Sequence, residues 1–243
     1  MKKTLILLSA AFITLLTFNA NAQQVKSYIG VFGGLSTPTG QFSKSDYGEI
    51  YHENNKAGYA KNGFTFGLDG AYYFYKNLGI AGTVSYQDQG GLSSKDVANL
   101  AAGYTDGFAV DNSTVTATKR YRNLNVLVGP QYSFVFSKLI LDVRAVGGLI
   151  KSFSTPETKV DLEDDPTHTF YQRSSTASAF AYGAGLGLRY NFTSKLGIAL
   201  RGNYINSDGI KITNENRNIN AGRIVTKQPV SEIQTTLGLT VQL

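Results

Sequence analysis

The chain has 243 residues, a formal net charge of +6 and no cysteine. The lack of cysteine excludes disulfide bonds and thiolate metal sites. The positive excess is modest and is spread along the chain without a basic run, which excludes a nucleic-acid-binding footprint. The 26 glycines allow backbones to approach closely, and the 15 tyrosines have side chains that are apolar at one end and polar at the other.

The first residues have the pattern of a secretory signal peptide. Two lysines precede an apolar core over Leu5–Phe18, and a small-x-small cleavage site ends at Ala22. The sequence therefore predicts a cleaved signal peptide over residues 1–22 and a single domain over residues 23–243. An uncleaved membrane anchor is the alternative, but the apolar core is short for a membrane span.

The segment Gly63–Phe74 shows the pattern on which the fold prediction depends. Phe64, Phe66 and Leu68 fall on one face of an extended strand, whereas the residues between them are small or polar. Similar alternation recurs in eight segments, and we expect no amphipathic helix that could cover the apolar face. This pattern favours a closed sheet whose apolar outside meets lipid.

The predicted strands alternate between short and long connections. The eight strands are Ser27–Leu35, Gly63–Tyr75, Leu78–Gln87, Tyr121–Phe134, Leu139–Ile150, Ala179–Phe192, Leu196–Ile205 and Glu232–Leu243. The short connections are Lys76-Asn77, Ser137-Lys138 and Thr193–Lys195. The long connections are Ser36–Asn62, Asp88–Arg120, Lys151–Ser178 and Asn206–Ser231. Strict alternation of this kind is typical of outer-membrane barrels, with periplasmic turns and extracellular loops.

We therefore predict an all-β fold in the cell outer membrane. The predicted architecture is an eight-stranded antiparallel up-and-down transmembrane β-barrel with short periplasmic turns and long extracellular loops. A soluble up-and-down barrel with the apolar face inward is the alternative. It would crowd the large aromatic side chains inside and turn glycine, aspartate and arginine outward.

Several charged residues are predicted to face the lumen of this barrel. They alternate along the strands with the apolar residues that face outward. They are Asp69, Asp142, Arg144, Arg189 and Arg201, with Glu232 near the rim. An eight-stranded barrel is just wide enough for its side chains to fill it, and buried charges must pair. The favoured interpretation is a structural ion-pair network that plugs the barrel. A selectivity ring in a narrow pore is the alternative.

Catalysis and metal binding find little support in the sequence. The two histidines, His52 and His168, fall in long predicted loops and match no known triad spacing. The stretch Asp161–Asp165 is rich in carboxylates but lacks the central glycine of a calcium loop. We expect no catalytic residue, no cofactor and no metal ligand, with a solvated acidic loop at Asp161–Asp165. Cation binding by that loop is the alternative.

The long loops offer the best indication of function. They are rich in Asn, Ser, Thr, Tyr and Gly, a composition typical of adaptable binding surfaces on a rigid scaffold. We expect a non-enzymatic protein that acts as an envelope scaffold or binds an extracellular ligand through these loops, without a nucleic-acid partner. A narrow channel for small solutes is the alternative function. A lipid-modifying enzyme is a third, more distant class.

With these features the chain resembles the small eight-stranded outer-membrane β-barrel proteins, the porin-like outer membrane beta-barrel domain family. The resemblance is carried by Gly33-Gly34 with Pro38-Thr39-Gly40, and by the hairpin sequences Asn77-Leu78-Gly79 and Lys195-Leu196-Gly197. It covers the whole mature chain and implies outer-membrane lipids and lipopolysaccharide as partners. The family hosts pores, adhesins, lipid enzymes and anchors, so it implies no single activity.

The C-terminal segment carries a sharper resemblance. Thr236–Leu243 is similar to the signal read by the barrel-insertion machinery, with Gly238 at the glycine position and Val241 and Leu243 at the hydrophobic positions. Leu243 stands where phenylalanine is usual. The resemblance implies the barrel-insertion machinery as a further partner.

Overall fold

A computed structural model describes residues 25–47, 56–163, 165–216 and 223–243 of the chain. The predicted signal peptide over residues 1–22 lies outside the described residues, as do His52 and Asp164. Neither described helix is long and apolar enough to cross a membrane.

Strands dominate the described residues, which contain thirteen strands and two helices. In chain order these elements are β1 (Tyr28–Pro38), α1 (Gly40–Ser43), β2 (Gly63–Tyr75), β3 (Leu78–Asp88), α2 (Ser94–Phe108), β4 (Ser113–Thr118), β5 (Arg122–Phe136), β6 (Leu139–Ser154), β7 (Glu157–Leu162), β8 (Asp165–Gln172), β9 (Ser178–Asn191), β10 (Leu196–Ser207), β11 (Ile210–Asn216), β12 (Arg223–Gln228) and β13 (Ser231–Gln242).

Eight of the strands close into an antiparallel barrel, as predicted. Their order around the ring is β1-β13-β10-β9-β6-β5-β3-β2. The first and last strands meet along a continuous ladder from Tyr28↔Gln242 to Pro38↔Glu232. The connections 76–77, 137–138 and 192–195 lie at one end of the barrel, here called the turn end. The opposite end is called the loop end.

The barrel turns its large apolar side chains outward and its small or polar side chains inward. Phe66, Leu68 and Val128 are each more than half exposed, whereas the inward Thr65 and Asp69 are almost fully buried. A continuous apolar band of this extent is typical of a surface that contacts lipid rather than water. The outward-facing prediction for these aromatic and aliphatic residues is therefore confirmed, and the soluble alternative is wrong.

Several barrel strands extend further toward the loop end than the sequence predicts. The sequence predicts the fifth strand over Leu139–Ile150, but β6 continues to Ser154. It continues because β5 offers a pairing partner as far as Arg122, which lies opposite Ser154. The β5–β6 ladder thus extends beyond the apolar alternation that predicts the strand.

The long connections hold a second folded unit, here called the loop layer. Strands β12-β11-β8-β7-β4 form a five-stranded sheet, and α2 packs on it through Leu100, which contacts a cluster with Val115, Val160 and Leu162. The expectation that the chain has no amphipathic helix is wrong. Helix α2 begins at a capping box in which Ser93 Oγ accepts from the Asp96 N–H and the Asp96 carboxylate accepts from the Ser93 N–H.

Apolar side chains from the barrel wall and the connections meet at the loop end, in a cluster here called the apolar cap. Its buried members are Phe42, Ala60, Tyr121, Leu127, Ile150, Ala179, Ala181, Ile205, Ile210 and Val230. The rings of Phe42 and Tyr121 pack edge to face at 4.9 Å, and the Tyr121 hydroxyl donates to the Gly58 carbonyl at 2.8 Å. The cap therefore joins connections from different parts of the chain to the inner wall of the barrel.

Candidate functional site

The structure brings the five sequence-predicted lumen charges together in one buried network. Asp69 lies on β2, Asp142 and Arg144 on β6, Arg189 on β9 and Arg201 on β10. None of the five is more than 6% exposed. The network joins strands that are not neighbours in the sheet, so its contacts cross the lumen.

Asp69 is held between two arginines. Its Oδ2 accepts from Arg144 Nη1 at 2.5 Å, and its Oδ1 pairs with Arg201 Nη1. Thr83 Oγ1 donates to Oδ2 at 2.8 Å, and the Tyr28 hydroxyl donates to Oδ1 at 3.1 Å. Both carboxylate oxygens therefore have charged and neutral donors, which is what a buried carboxylate needs to remain ionised.

Asp142 forms the second ion-paired centre of the network. Arg189 binds it with two hydrogen bonds, from Nε at 2.7 Å and from Nη2 at 3.0 Å. Ser133 Oγ donates to Oδ1 at 2.6 Å, and Arg201 Nη2 lies 3.7 Å from Oδ2. The two-point geometry is the strong form of an arginine–carboxylate pair. Arg201 links the Asp142 centre to the Asp69 centre.

Two tyrosines complete the network, and sequence reasoning missed their role. The Arg189 guanidinium lies 4.0 Å from the ring centre of Tyr28, whose hydroxyl accepts from Arg201 Nη2 at 2.7 Å. The Tyr73 hydroxyl accepts from Gln131 Nε2 at 2.6 Å and from Arg189 Nη2 at 3.0 Å. Strand parity places these tyrosines inward, but only the pairing register shows which arginine each one meets.

Glycines on β9 provide the space in which the arginines lie. Arg201 lies opposite Gly187 in the ladder, and Asn203 lies opposite Gly185. A Cβ added at Gly187 would meet Arg201 Cγ at 3.0 Å, and one at Gly185 would overlap the Asn203 amide oxygen. Arg144 and Arg201 therefore pass the inner face of β9 at Gly185 and Gly187, where the backbone carries no Cβ atom.

The sixth predicted lumen residue, Glu232, lies apart from the arginines. It is fully buried, and its carboxylate accepts from Ser36 Oγ, Gln89 Nε2 and Gln234 Nε2, each at 2.8 Å. No Lys, Arg or His nitrogen of the described residues lies within 4.0 Å of it. Its carboxyl group is thus hydrogen-bonded by neutral hydroxyl and amide donors alone among the described residues. Neutral side chains of β3 and β5, including Gln87 and Asn125, extend this polar layer.

The residues that resemble a C-terminal insertion signal lie on β13 and just beyond it. Gly238 stands between Phe32 of β1 and Ala199 of β10 in the ladder. Val241 is 43% exposed among the outward-facing apolar residues. Leu243 follows the strand at the turn end and donates its backbone N–H to the Ser27 carbonyl at 2.8 Å.

The acidic stretch Asp161–Asp165 is largely part of the loop-layer sheet rather than a loop. Asp161 lies on β7, pairs with Lys159 at 2.7 Å and accepts from Thr169 at 2.8 Å. Leu162 is buried in the cluster beneath α2. Among the residues that the structure describes, no group of three or more His, Cys, Asp or Glu side chains is arranged to hold a metal ion.

Asp96 is the most strongly bonded carboxylate of the loop layer. Besides capping α2, its Oδ1 accepts from the Tyr47 hydroxyl at 2.6 Å and from Lys61 Nζ at 3.0 Å. Burial by itself would raise the pKa of this carboxyl, but the hydrogen bonds from Tyr47, Ser93 and Lys61 outweigh that effect and hold the pKa far below its ordinary value. The charged carboxylate therefore ties α2 to two other segments of the chain.

A closed eight-stranded barrel with an apolar outer surface and a buried charged network defines an integral membrane barrel protein. The family model for the outer membrane protein beta-barrel domain matches residues 5–224. The chain belongs to this family, and the protein is located in the outer membrane.

Solved outer-membrane proteins are similar to this chain at low sequence identity. Neisserial surface protein A is 11% identical, covering 89% of this chain and 97% of its own, with a TM-score of 0.46. Outer membrane protein W of E. coli is 11% identical, covering 91% and 100%, with a TM-score of 0.47. The attachment invasion locus protein Ail of Yersinia pestis is 13% identical, covering 90% and 97%, with a TM-score of 0.41. No curated protein sequence matches the chain.

Replacing Asp142 by alanine is expected to destabilise the barrel strongly. The change leaves Arg189, which is fully buried, without its carboxylate, and an unpaired buried charge costs about 3–5 kcal/mol. The free energy of unfolding from lipid vesicles, measured by urea titration, reports the loss. The control is Asp208→Ala, which removes a half-exposed carboxylate 3.9 Å from Lys227 and should change little.

A second variant separates pairing from simple loss of packing. In Asp142→Ala combined with Arg189→Met, the uncompensated charge is gone, so part of the lost stability should return. If Asp142→Ala and Asp208→Ala unfold at the same urea concentration as the parent, the lumen solvates its charges and the buried-network interpretation is wrong.

Replacing Asp96 by asparagine is expected to loosen α2 without affecting the barrel. Because the folded pKa of Asp96 is depressed, its stabilising contribution is complete above the unfolded value of about 3.9 and is lost as pH falls toward the folded value. The protection factors of the α2 amides, that is, the intrinsic exchange rate at each pH divided by the observed rate, should therefore fall below about pH 4 in the parent. In Asp96→Asn these protection factors should be low already at pH 7. Asp106→Asn, at an exposed position of the same helix, is the control and should exchange like the parent.

Proposed function

We propose that this protein is a closed, non-enzymatic outer-membrane barrel that anchors the loop layer at the cell surface, where the layer binds an extracellular ligand or stabilises the envelope. The barrel itself would conduct little. The loop layer, a sheet with a packed helix, would provide the binding surface.

The filled lumen is the observation that carries this proposal. The ion-pair network crosses the barrel with every charged member at most 6% exposed. The apolar cap lies beyond it toward the loop end, with Phe42 and Ile205 almost fully buried. A cavity of about 10 Å³ lies beside Asp69 and Arg201, which is room for about one water molecule. A filled lumen of this kind supports a scaffold rather than a channel.

The orientation is part of the proposal. Outer-membrane barrels have short turns on the periplasmic side and longer connections outside. In this chain the three short connections share the turn end with the start of β1 and the end of β13. The same rule assigns the loop layer to the cell surface.

A non-enzymatic role is supported by the state of the lumen carboxylates. Asp69 and Asp142 are both bound by arginines and buried, so neither is available to a substrate as an acid or a base. In the sequence neither histidine matches a known triad spacing, and His168 falls on β8 of the loop layer.

Three partners follow from the proposal. The outward apolar band would contact outer-membrane lipids, including lipopolysaccharide. The β13 segment with Gly238, Val241 and Leu243 would be read by the barrel-insertion machinery. The loop layer would contact the extracellular ligand.

The refolded protein is expected to show no steady single-channel current in a planar lipid bilayer, because the network and the cap fill the lumen. A refolded wide porin in the same bilayer is the positive control, since its larger barrel leaves an aqueous channel. Reproducible large steps with the parent protein would contradict the scaffold proposal and favour a pore.

The orientation can be tested with single cysteines, because the natural chain has none. Lys95→Cys places a thiol on the exposed surface of α2, and Lys138→Cys places one at the turn end. A membrane-impermeant maleimide added to intact cells should label Lys95→Cys and leave Lys138→Cys unlabelled until the cells are lysed. The reverse pattern would show that the barrel is inserted the other way round.

A further inference from the structure

A basic patch lies on the outward face of the barrel at the loop end, apart from the lumen network. It consists of Arg120, Arg122 and Lys151, together with the carboxylate of Asp88. Arg122 and Asp88 are ladder partners on β5 and β3, and Lys151 lies opposite Leu124 on β6. With three cationic groups and one carboxylate, the patch has a net charge of +2.

Asp88 holds both guanidinium groups in place. Its Oδ1 lies 3.3 Å from Arg120 Nη1, and its Oδ2 lies 3.1 Å from Arg122 Nε. The Gly90 N–H donates to Oδ1 at 3.1 Å and fixes the carboxylate itself. Asp88 is nearly buried under the two arginines, whereas each arginine side chain is half exposed. The arginines are therefore positioned before any ligand arrives, which lowers the entropy lost on binding.

The patch has hydrogen-bond donors left over after this pairing. Nη1 and Nη2 of Arg122 have no hydrogen-bond partner among the residues that the structure describes, and neither do Nε and Nη2 of Arg120. Lys151 is exposed, and its Nζ uses one of its three protons on the Thr176 carbonyl. Lys151 lies opposite Leu124, which is two residues from Arg122 along β5. The Cα atoms of Lys151 and Arg122 are therefore roughly 8 Å apart. An anion with several acceptor oxygens can bridge groups at this spacing.

An aromatic stripe runs along the outer face beside the patch, where Phe64 is the ladder partner of Asp88 and Tyr86 is that of Leu124. Phe64, Phe66, Tyr86 and Phe153 form a series of ring contacts with centroid separations of 6.2, 5.4 and 6.4 Å. Phe66 and Phe153 are about half exposed. Aromatic rings of this kind mark the membrane–water interface of an outer-membrane barrel. The basic patch therefore stands at this interface, with an apolar surface for acyl chains directly beside it.

We propose that this patch binds a phosphate group of a lipid A-type glycolipid, the acylated and phosphorylated anchor of lipopolysaccharide in the outer leaflet. Arginine matches the geometry of phosphate oxygens with two parallel hydrogen bonds, and lysine adds a point charge. The acyl chains lie against the aromatic stripe while the phosphate is held by Arg122 and Lys151. The inference rests on the proposed orientation, because the loop end must face the outer leaflet.

The test measures binding of bisphosphorylated lipid A to the full protein refolded in a neutral detergent, by native mass spectrometry titration. The combined variant Arg120→Gln and Arg122→Gln should bind at least ten times more weakly than the parent. Lys151→Gln should also weaken binding, and it remains informative if the combined variant does not refold. Lys138→Gln, at the turn end, removes a surface charge far from the patch and should bind like the parent.

Chemically dephosphorylated lipid A distinguishes phosphate recognition from contact with the acyl chains. The parent should bind it as weakly as the arginine variant binds bisphosphorylated lipid A, and raising the salt concentration should weaken only the phosphorylated complex. Equal binding of the two lipids, or unchanged binding in both patch variants, would overturn the inference. Conductance and cysteine labelling test the closed barrel and its orientation separately from lipid binding. A negative lipid-binding result therefore leaves the closed-barrel proposal standing, and a negative result in the other two experiments leaves the lipid measurement valid.

Discussion

The carboxylate of Asp69, held between Arg144 and Arg201, is the contact on which the barrel interior depends. A charge removed from water is tolerated only when its partners are close and its remaining hydrogen bonds are made. Arg144 and Arg201 reach Asp69 from β6 and β10. Their paths require the glycine face of β9, and their geometry requires the tyrosines and hydroxyls around them. The other inward positions at this level are small or polar because these side chains occupy the space.

Much of the barrel could be predicted because the alternation of side chains between the two faces of a strand can be read from one segment alone. The alternation in β2 assigns Phe66 and Leu68 to the lipid and Asp69 to the lumen without any knowledge of the other strands. The same parity places Asp142 and Arg189 inward. Parity cannot show which inward charge meets which, because that depends on the register of every ladder around the ring. The double role of Arg201 and the contribution of Tyr28 appear only once the ring is closed.

The sequence did not predict the sheet and helix of the loop layer, for a different physical reason. Helix α2 spans 15 residues, and its start depends on Asp96, which Tyr47 and Lys61 reach from segments far away in the chain. The strands of the layer are short and polar, so they lack the strong alternation of the barrel strands. The sequence predicts Glu232 near the rim, but the neutral hydrogen-bond donors around its carboxyl group include Gln89, a residue of a connection. Contacts of this kind are non-local and leave little trace in a single segment.

The position of Asp69 also bears on how firmly the ring stays shut. The seam of the barrel, where the first strand meets the last, runs between β1 and β13, with β2 and β10 on either side of it. The ion pair of Asp69 and Arg201 therefore connects β2 and β10 across the seam on the lumen side, in addition to the backbone hydrogen bonds between β1 and β13. Parting the two strands would pull this pair open in a site that water scarcely reaches. Lateral opening of the barrel into the bilayer is thus opposed by a buried ion pair as well as by backbone hydrogen bonds.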